Sequence, residues 1–243
     1  MGSKVMQKEI DRHAAERLWR AGVEQTDVDF DAAVIAILNT GDPEYIFRAG
    51  RDWRSFDYAA GLERLIMLGD PEFIHKAGIF WNKFDYTAGM NALFGIADPE
   101  YVYRAGRFWK NFDHQRGLDA LAASGKARYV YYAGQEWKVF NYGRGFELLM
   151  ELGSAEYIFY AGAHWKEFDY RNGFDRLMEL GISEFIFKAG TLWREFDYRR
   201  AWKKLENDIQ NGAEWRGKAF THPVWNRELQ AIWRDAVIKL NIL

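Results

Sequence analysis

The chain contains no cysteine, which removes disulfides, thiolate nucleophiles and thiolate metal sites together. It has little net charge: 33 basic residues against 35 acidic ones leave −2, so no global field draws it toward nucleic acid or an anionic membrane. No run approaches the roughly 18 uncharged apolar residues of a membrane span, and the segment from Met1 to Glu9 has no apolar core for a signal peptide. These absences lead to the expectation of a cytoplasmic protein that engages no membrane. Proline is also scarce, at four residues. What is abundant is aromatic side chains, 17% of the chain with 11 tryptophans, and glycine, at 22 residues. Their placement explains them.

A segment beginning Asp42-Pro43-Glu44-Tyr45-Ile46-Phe47-Arg48-Ala49-Gly50 recurs every 28 residues, from Asp70, Asp98, Lys126, Ser154 and Ile182, with a degenerate copy from Ala14. Such self-similarity marks a stack of supersecondary units rather than one folded core. Numbering each copy from 1 at Asp42, position 8 is Ala and position 9 is Gly throughout. Position 12 is Trp in Trp53, Trp81, Trp109, Trp137, Trp165 and Trp193, with Phe at 15 and Asp or Asn at 16. Asp followed by Pro and Glu at positions 1 to 3 reads as an N-cap and first helical turn. The apolar stripe at 5, 8, 9 and 12 then gives helix A over about positions 2–13. Asp or Asn at 16 caps helix B over about 16–27, which usually stops at a glycine such as Gly69. Short connections make the two helices antiparallel.

The expected fold is therefore all-α: a right-handed α-solenoid of seven 28-residue helical hairpins in a single domain over 1–243. The copies lie at 14–41, 42–69, 70–97, 98–125, 126–153, 154–181 and 182–209, with a C-terminal cap over 210–243. Within the cap, Thr221-His222-Pro223 opens a helix whose Trp225, Leu229, Ile232, Trp233, Val237 and Leu240 line one face. The first copy has Gln25 and Val28 where the others have Trp and Phe, as a terminal cap should. A mid-helix glycine costs roughly 1 kcal/mol relative to alanine, so position 9 implies close helix approach with an indole beside it. Gly106→Leu should then be worse than most core truncations.

Ile, Ala, Gly and Trp at positions 5, 8, 9 and 12 resemble the first helix of tetratricopeptide-type repeats. The resemblance covers that half of each unit only. These repeats are shorter than the roughly 34 residues of that family, and their Phe-Asp-Tyr turn and helix B do not match it. What the likeness implies is a superhelix with a concave binding surface.

Two basic ladders recur. Position 7 holds Arg20, Arg48, Lys76, Arg104 and Lys188, interrupted by Tyr132 and Tyr160; it lies opposite the apolar stripe, and these seven residues are the candidate partner-binding set. Position 13 holds Arg54, Lys110, Lys138, Lys166 and Arg194, and reads instead as a charge partner for the capping acid at 16. Aromatics at positions 4, 6 and 17 read as inter-repeat core, and the variable positions 10, 11, 14, 18, 19 and 22 as the exposed set in which specificity would be written. The five histidines share no metal spacing, and no phosphate loop or nucleophile motif is present. The reading is a non-enzymatic module that binds another protein, without cofactor or metal. The alternative is a nucleic-acid binder using the position 7 ladder, and the oligomeric state is left open.

Overall fold

A computed structural model describes residues 2–24, 27–208 and 212–240, with side chains over 12–24, 27–208 and 212–234. The described residues form helices throughout, and they cluster in two compact units, 1–124 and 125–243. The first unit comprises α1 (Gly2–Glu24), α2 (Phe30–Thr40), α3 (Pro43–Asp52), α4 (Tyr58–Leu68), α5 (Pro71–Phe80), α6 (Tyr86–Ile96), α7 (Pro99–Phe108) and α8 (His114–Ala123). The second comprises α9 (Ala127–Glu136), α10 (Tyr142–Leu152), α11 (Ala155–His164), α12 (Tyr170–Leu180), α13 (Ser183–Leu192), α14 (Tyr198–Glu206), α15 (Gly212–Thr221) and α16 (Pro223–Leu240). Within each unit the helices pack as the hairpins of a helical-repeat solenoid: each A helix against its own B helix and against the A helix of the next copy.

The caps are those the spacing predicts. Asp42 accepts hydrogen bonds from the Glu44 and Tyr45 amides, and Pro43 occupies the first turn, where its missing N–H is not needed. Asp57 likewise accepts from Ala59 and Ala60 at the start of α4. Helix B ends on left-handed glycines at Gly41, Gly69, Gly153 and Gly181; in α6 the same conformation falls on Ala97, at φ 59°.

Helix A is shorter than its apolar stripe suggests. It stops at position 11, and the position 12 tryptophan is an extended C-cap, with Trp81 at φ −76° and ψ 141°. The reason is reach. Leaving the helix sends the indole back across the preceding copy, where its N–H donates to the position 6 carbonyl: Trp53 to Trp19, Trp81 to Phe47, Trp109 to His75, Trp165 to Tyr131 and Trp193 to Phe159, at 3.0–3.1 Å. The same indole occupies the space where a Cβ on the position 9 glycine would stand, Trp81 on Gly50 and Trp109 on Gly78 for example. Stopping early also strands the position 9 carbonyl, which has lost its i+4 amide. The position 17 hydroxyl satisfies it: Tyr86 donates to Gly78, Tyr142 to Gly134 and Tyr170 to Gly162, at 3.1–3.2 Å. In the fourth copy the His114 ring takes this place against Gly106 at 3.1 Å.

Both ends depart from expectation. The first helix does not begin at Ala14 but runs back to Gly2. At the other end the stretch after Asn207 contains α15, which the composition around Gly212 and Gly217 concealed. The next helix does open at Pro223, and its Trp225 fills the slot that the position 12 tryptophan of an eighth copy would fill. Its indole donates to the Phe187 carbonyl at 3.1 Å, lies against Gly190, and stacks on the Phe187 ring at 5.3 Å. Leu229 is fully buried beside it, whereas Trp233 is 41% exposed; the side chains of Val237 and Leu240 lie outside the described residues.

Candidate interaction surface

The outer surface of the A layer is built by one rule. A ring at position 6 is covered by the ring at position 4 and the side chain at position 11 of the next copy. In the first unit the Phe47 ring meets Phe73 at 6.0 Å and Phe80 at 6.1 Å, and the His75 ring meets Tyr101 at 6.0 Å and Phe108 at 6.2 Å. In the second, Tyr131 meets Tyr157 at 5.7 Å and hydrogen-bonds His164 at 2.8 Å, and Phe159 meets Phe185 at 5.9 Å. Positions 4 and 6 are thereby core or half-buried, as their periodicity suggests. Position 11 is the outermost layer: Phe80 is 56% exposed, Phe108 51% and Leu192 59%.

The position 7 residues lie one helical turn from position 11, on the same face. Arg20, Arg48, Lys76, Arg104 and Lys188 are all partly exposed, yet each pairs with the glutamate at position 3 of its own helix. Arg20 meets Glu16 at 2.7 Å, Arg48 meets Glu44 at 2.6 Å, Lys76 meets Glu72 and Lys188 meets Glu184 at 2.5 Å, and Arg104 meets Glu100. The hydrogen bond from Arg20 holds the Glu16 carboxyl below its usual range, and Glu184 raises Lys188 in the same way. Four of these cations also lie over rings: Arg48 over Trp19 and Tyr45 at 5.2 Å, Lys76 over Phe73 at 4.7 Å, Arg104 over Tyr101 at 5.4 Å and Lys188 over Phe185 at 5.2 Å. Exposed i,i+4 pairs of this kind, screened by solvent, contribute little to stability. Their consequence here is neutralisation of the ladder rather than stability.

Tyr132 and Tyr160 replace the cation in copies five and six and join a cluster. Both rings lie within 6 Å of Tyr131, and Tyr160 stacks on His164 at 5.9 Å. Burial, with the neighbouring tyrosines, pushes the Tyr131 hydroxyl up to about 12, so it stays protonated as a hydrogen-bonding group. Position 3 of copy five is Arg128, whose guanidinium lies 4.6 Å from the Tyr129 ring centre and donates to its hydroxyl at 2.9 Å.

Position 13 is a correction. Arg54, Lys110, Lys138, Lys166 and Arg194 are exposed and form no ion pair with the position 16 acids. Those acids turn inward to cap helix B through its backbone amides, as Asp169 does with Asn172 at 3.0 Å. The acceptor a neighbouring cation would need is already committed to the helix end.

Among the described residues no helix is long and apolar enough to cross a membrane, and no three His, Asp or Glu side chains are grouped to hold a metal ion. Comparison with protein-family models, with curated proteins and with solved structures finds no match to the chain.

Proposed function

We propose that this protein is a non-enzymatic scaffold whose A-layer surface binds another protein. The observation that carries this reading is the pairing of exposed apolar side chains at position 11 with a self-neutralised row of cations at position 7. Phe80 and Phe108 are each more than half exposed, in adjacent copies of one unit. Aromatic side chains and arginine, with little net charge, are the composition of a protein-interface core. Phosphate binding needs uncompensated cations, and the glutamates at position 3 remove that excess from this face. The regular A-on-A packing beneath supplies a rigid platform of the kind repeat proteins use for recognition.

The test is capture of partners from the native cell by the full-length chain and by a Phe80→Asp, Phe108→Asp double variant. Both side chains are about half exposed, so the variant should keep its helicity and stay folded, at a lowered unfolding midpoint because Phe47 and His75 lose part of their cover, while losing the captured protein. Undiminished capture by a folded double variant excludes this face as the binding surface. A specific chemical turnover by the purified chain would overturn the non-enzymatic reading.

A further inference from the structure

Away from the A layer, α14 concentrates charge. Its nine residues, Tyr198–Glu206, carry four cations and one acid. Arg199, Arg200, Lys203 and Lys204 are spaced i, i+1, i+4 and i+5, which places them on one helix face about 140° wide, and all four are exposed. The corresponding residues of α4 are Ala59, Ala60, Glu63 and Arg64, and those of α12 are Arg171, Asn172, Asp175 and Arg176, so the earlier helices balance or omit this charge. Among the described residues only Arg200 of these four meets an acid, Asp175 at 2.7 Å. Lys204 sits by Gly181 at the end of α12, much as Arg176 reaches the Met150 carbonyl at 3.2 Å. Arg199 and Lys203 make no ion pair among the described residues. Arg199 and Arg200 stand in the first helical turn, where the helix dipole disfavours cations; Arg200 is held there by Asp175 and by the Phe174 ring at 5.1 Å, whereas Arg199 has no such contact among the described residues.

Two neighbouring features define what such a face would hold. Arg171 of α12 lies in register with Arg199, and the two line an open groove of about 710 Å³ together with Tyr170 and Tyr198. The acids on that groove are Glu195, Glu228 and Asp197, the last accepting the Arg200 amide at 3.0 Å. Beside the basic face, Trp202 is half-buried and meets Phe220 at 5.7 Å, which meets Trp233 at 5.6 Å; the outer two rings are 42% and 41% exposed. Unpaired cations next to exposed flat rings combine the two contacts that single-stranded nucleic acids use, phosphate pairing and base stacking.

We propose that the exposed face of α14, with the rings beside it, binds single-stranded nucleic acid. Arg171, Arg199 and Lys203 take phosphates and Phe220 and Trp233 take bases. This surface is separate from position 7 and does not depend on the protein-binding reading of the A layer.

Fluorescence anisotropy of labelled oligothymidylate and oligouridylate, titrated with the full chain between low and physiological salt, tests it. Three phosphate contacts predict a slope of log affinity against log salt of about −2. Arg199→Glu with Lys203→Glu removes two of the three contacts and should weaken binding at least about ten-fold and flatten the slope by about 1.4. Phe220→Ser with Trp233→Ser should weaken binding without changing the slope, and Arg48→Glu with Arg104→Glu should leave it unchanged. Should the reversal variant fail to fold by circular dichroism, Arg199→Gln with Lys203→Gln carries the same expectation at smaller size. Absence of binding at low salt overturns the proposal, as does wild-type affinity in the folded charge variants. Equal or tighter binding of a polyglutamate peptide or of phosphatidylserine vesicles overturns it too, because the face would then be a general polyanion contact.

Discussion

At Gly78 one methyl group decides the sign of a substitution. Alanine in place of a mid-helix glycine normally stabilises by about 1 kcal/mol, but a Cβ here would overlap the Trp109 indole, which the His75 carbonyl holds at 3.0 Å. Overpacking of this kind costs about 1–3 kcal/mol, so Gly78→Ala should lower the urea midpoint. Gly95 in α6 is the control: nothing lies within 4 Å of its Cβ direction, and Gly95→Ala should raise the midpoint. That glycine at position 9 buys close approach was readable from its recurrence; that the indole comes from the following copy was not, because no local spacing encodes it. His75 gives a second residue-scale prediction. Burial lowers its ring from 6.5 to about 4 in the fold, so between those values the unfolded chain binds the extra proton. Stability should therefore fall as pH drops from about 6.5 toward 4 and level off below. Comparing urea midpoints of the wild type and His75→Phe, which restores the ring found at Phe47 and Phe159, should show that fall lessened in the variant.

Trp225 makes the corresponding argument for elements. Trp225 in α16 stands four residues later than a strict repeat would place it, yet its indole reaches the same carbonyl and the same glycine as its counterparts. The slot, rather than the spacing, is what the C-terminal elements satisfy. Trp225→Ala should leave α13 and α14 without their cover and cost about 3–5 kcal/mol; hydrogen exchange should show α13 to α16 losing protection while α3 to α6 keep theirs. Helix starts and the glycine stops of helix B were legible because capping chemistry is local. The end of helix A was not, since the Trp amide still bonds the i−4 carbonyl, as Trp81 does with Ala77 at 2.9 Å, while its backbone has already turned extended. α15 is not legible in the sequence because Gly212 and Gly217 favour a loop by composition. The basic ladder at position 7 was visible as a row of cations, but its neutralisation depends on glutamates whose first-turn placement already suggested another purpose.

For the molecule as a whole, these slots make each copy answerable only to its neighbours, which predicts what an internal deletion does. Removing residues 70–97 joins Gly69 to Asp98, so Trp109 meets Gly50 and the Phe47 carbonyl in place of Trp81, and Tyr101 and Phe108 cover Phe47 in place of Phe73 and Phe80. Every contact type is conserved, since the lost copy and its successor offer the same groups in the same register. The shortened chain should keep its mean residue ellipticity and unfold cooperatively, at a lower urea midpoint because one hairpin and one interface are gone. Removing residues 70–83 instead takes away helix A and its tryptophan and sets one helix B after another, leaving Gly50 uncovered. That chain should lose helicity and cooperativity even though it is longer. If both deletions behave alike, nearest-neighbour stacking through the tryptophan slot is not what holds these hairpins together.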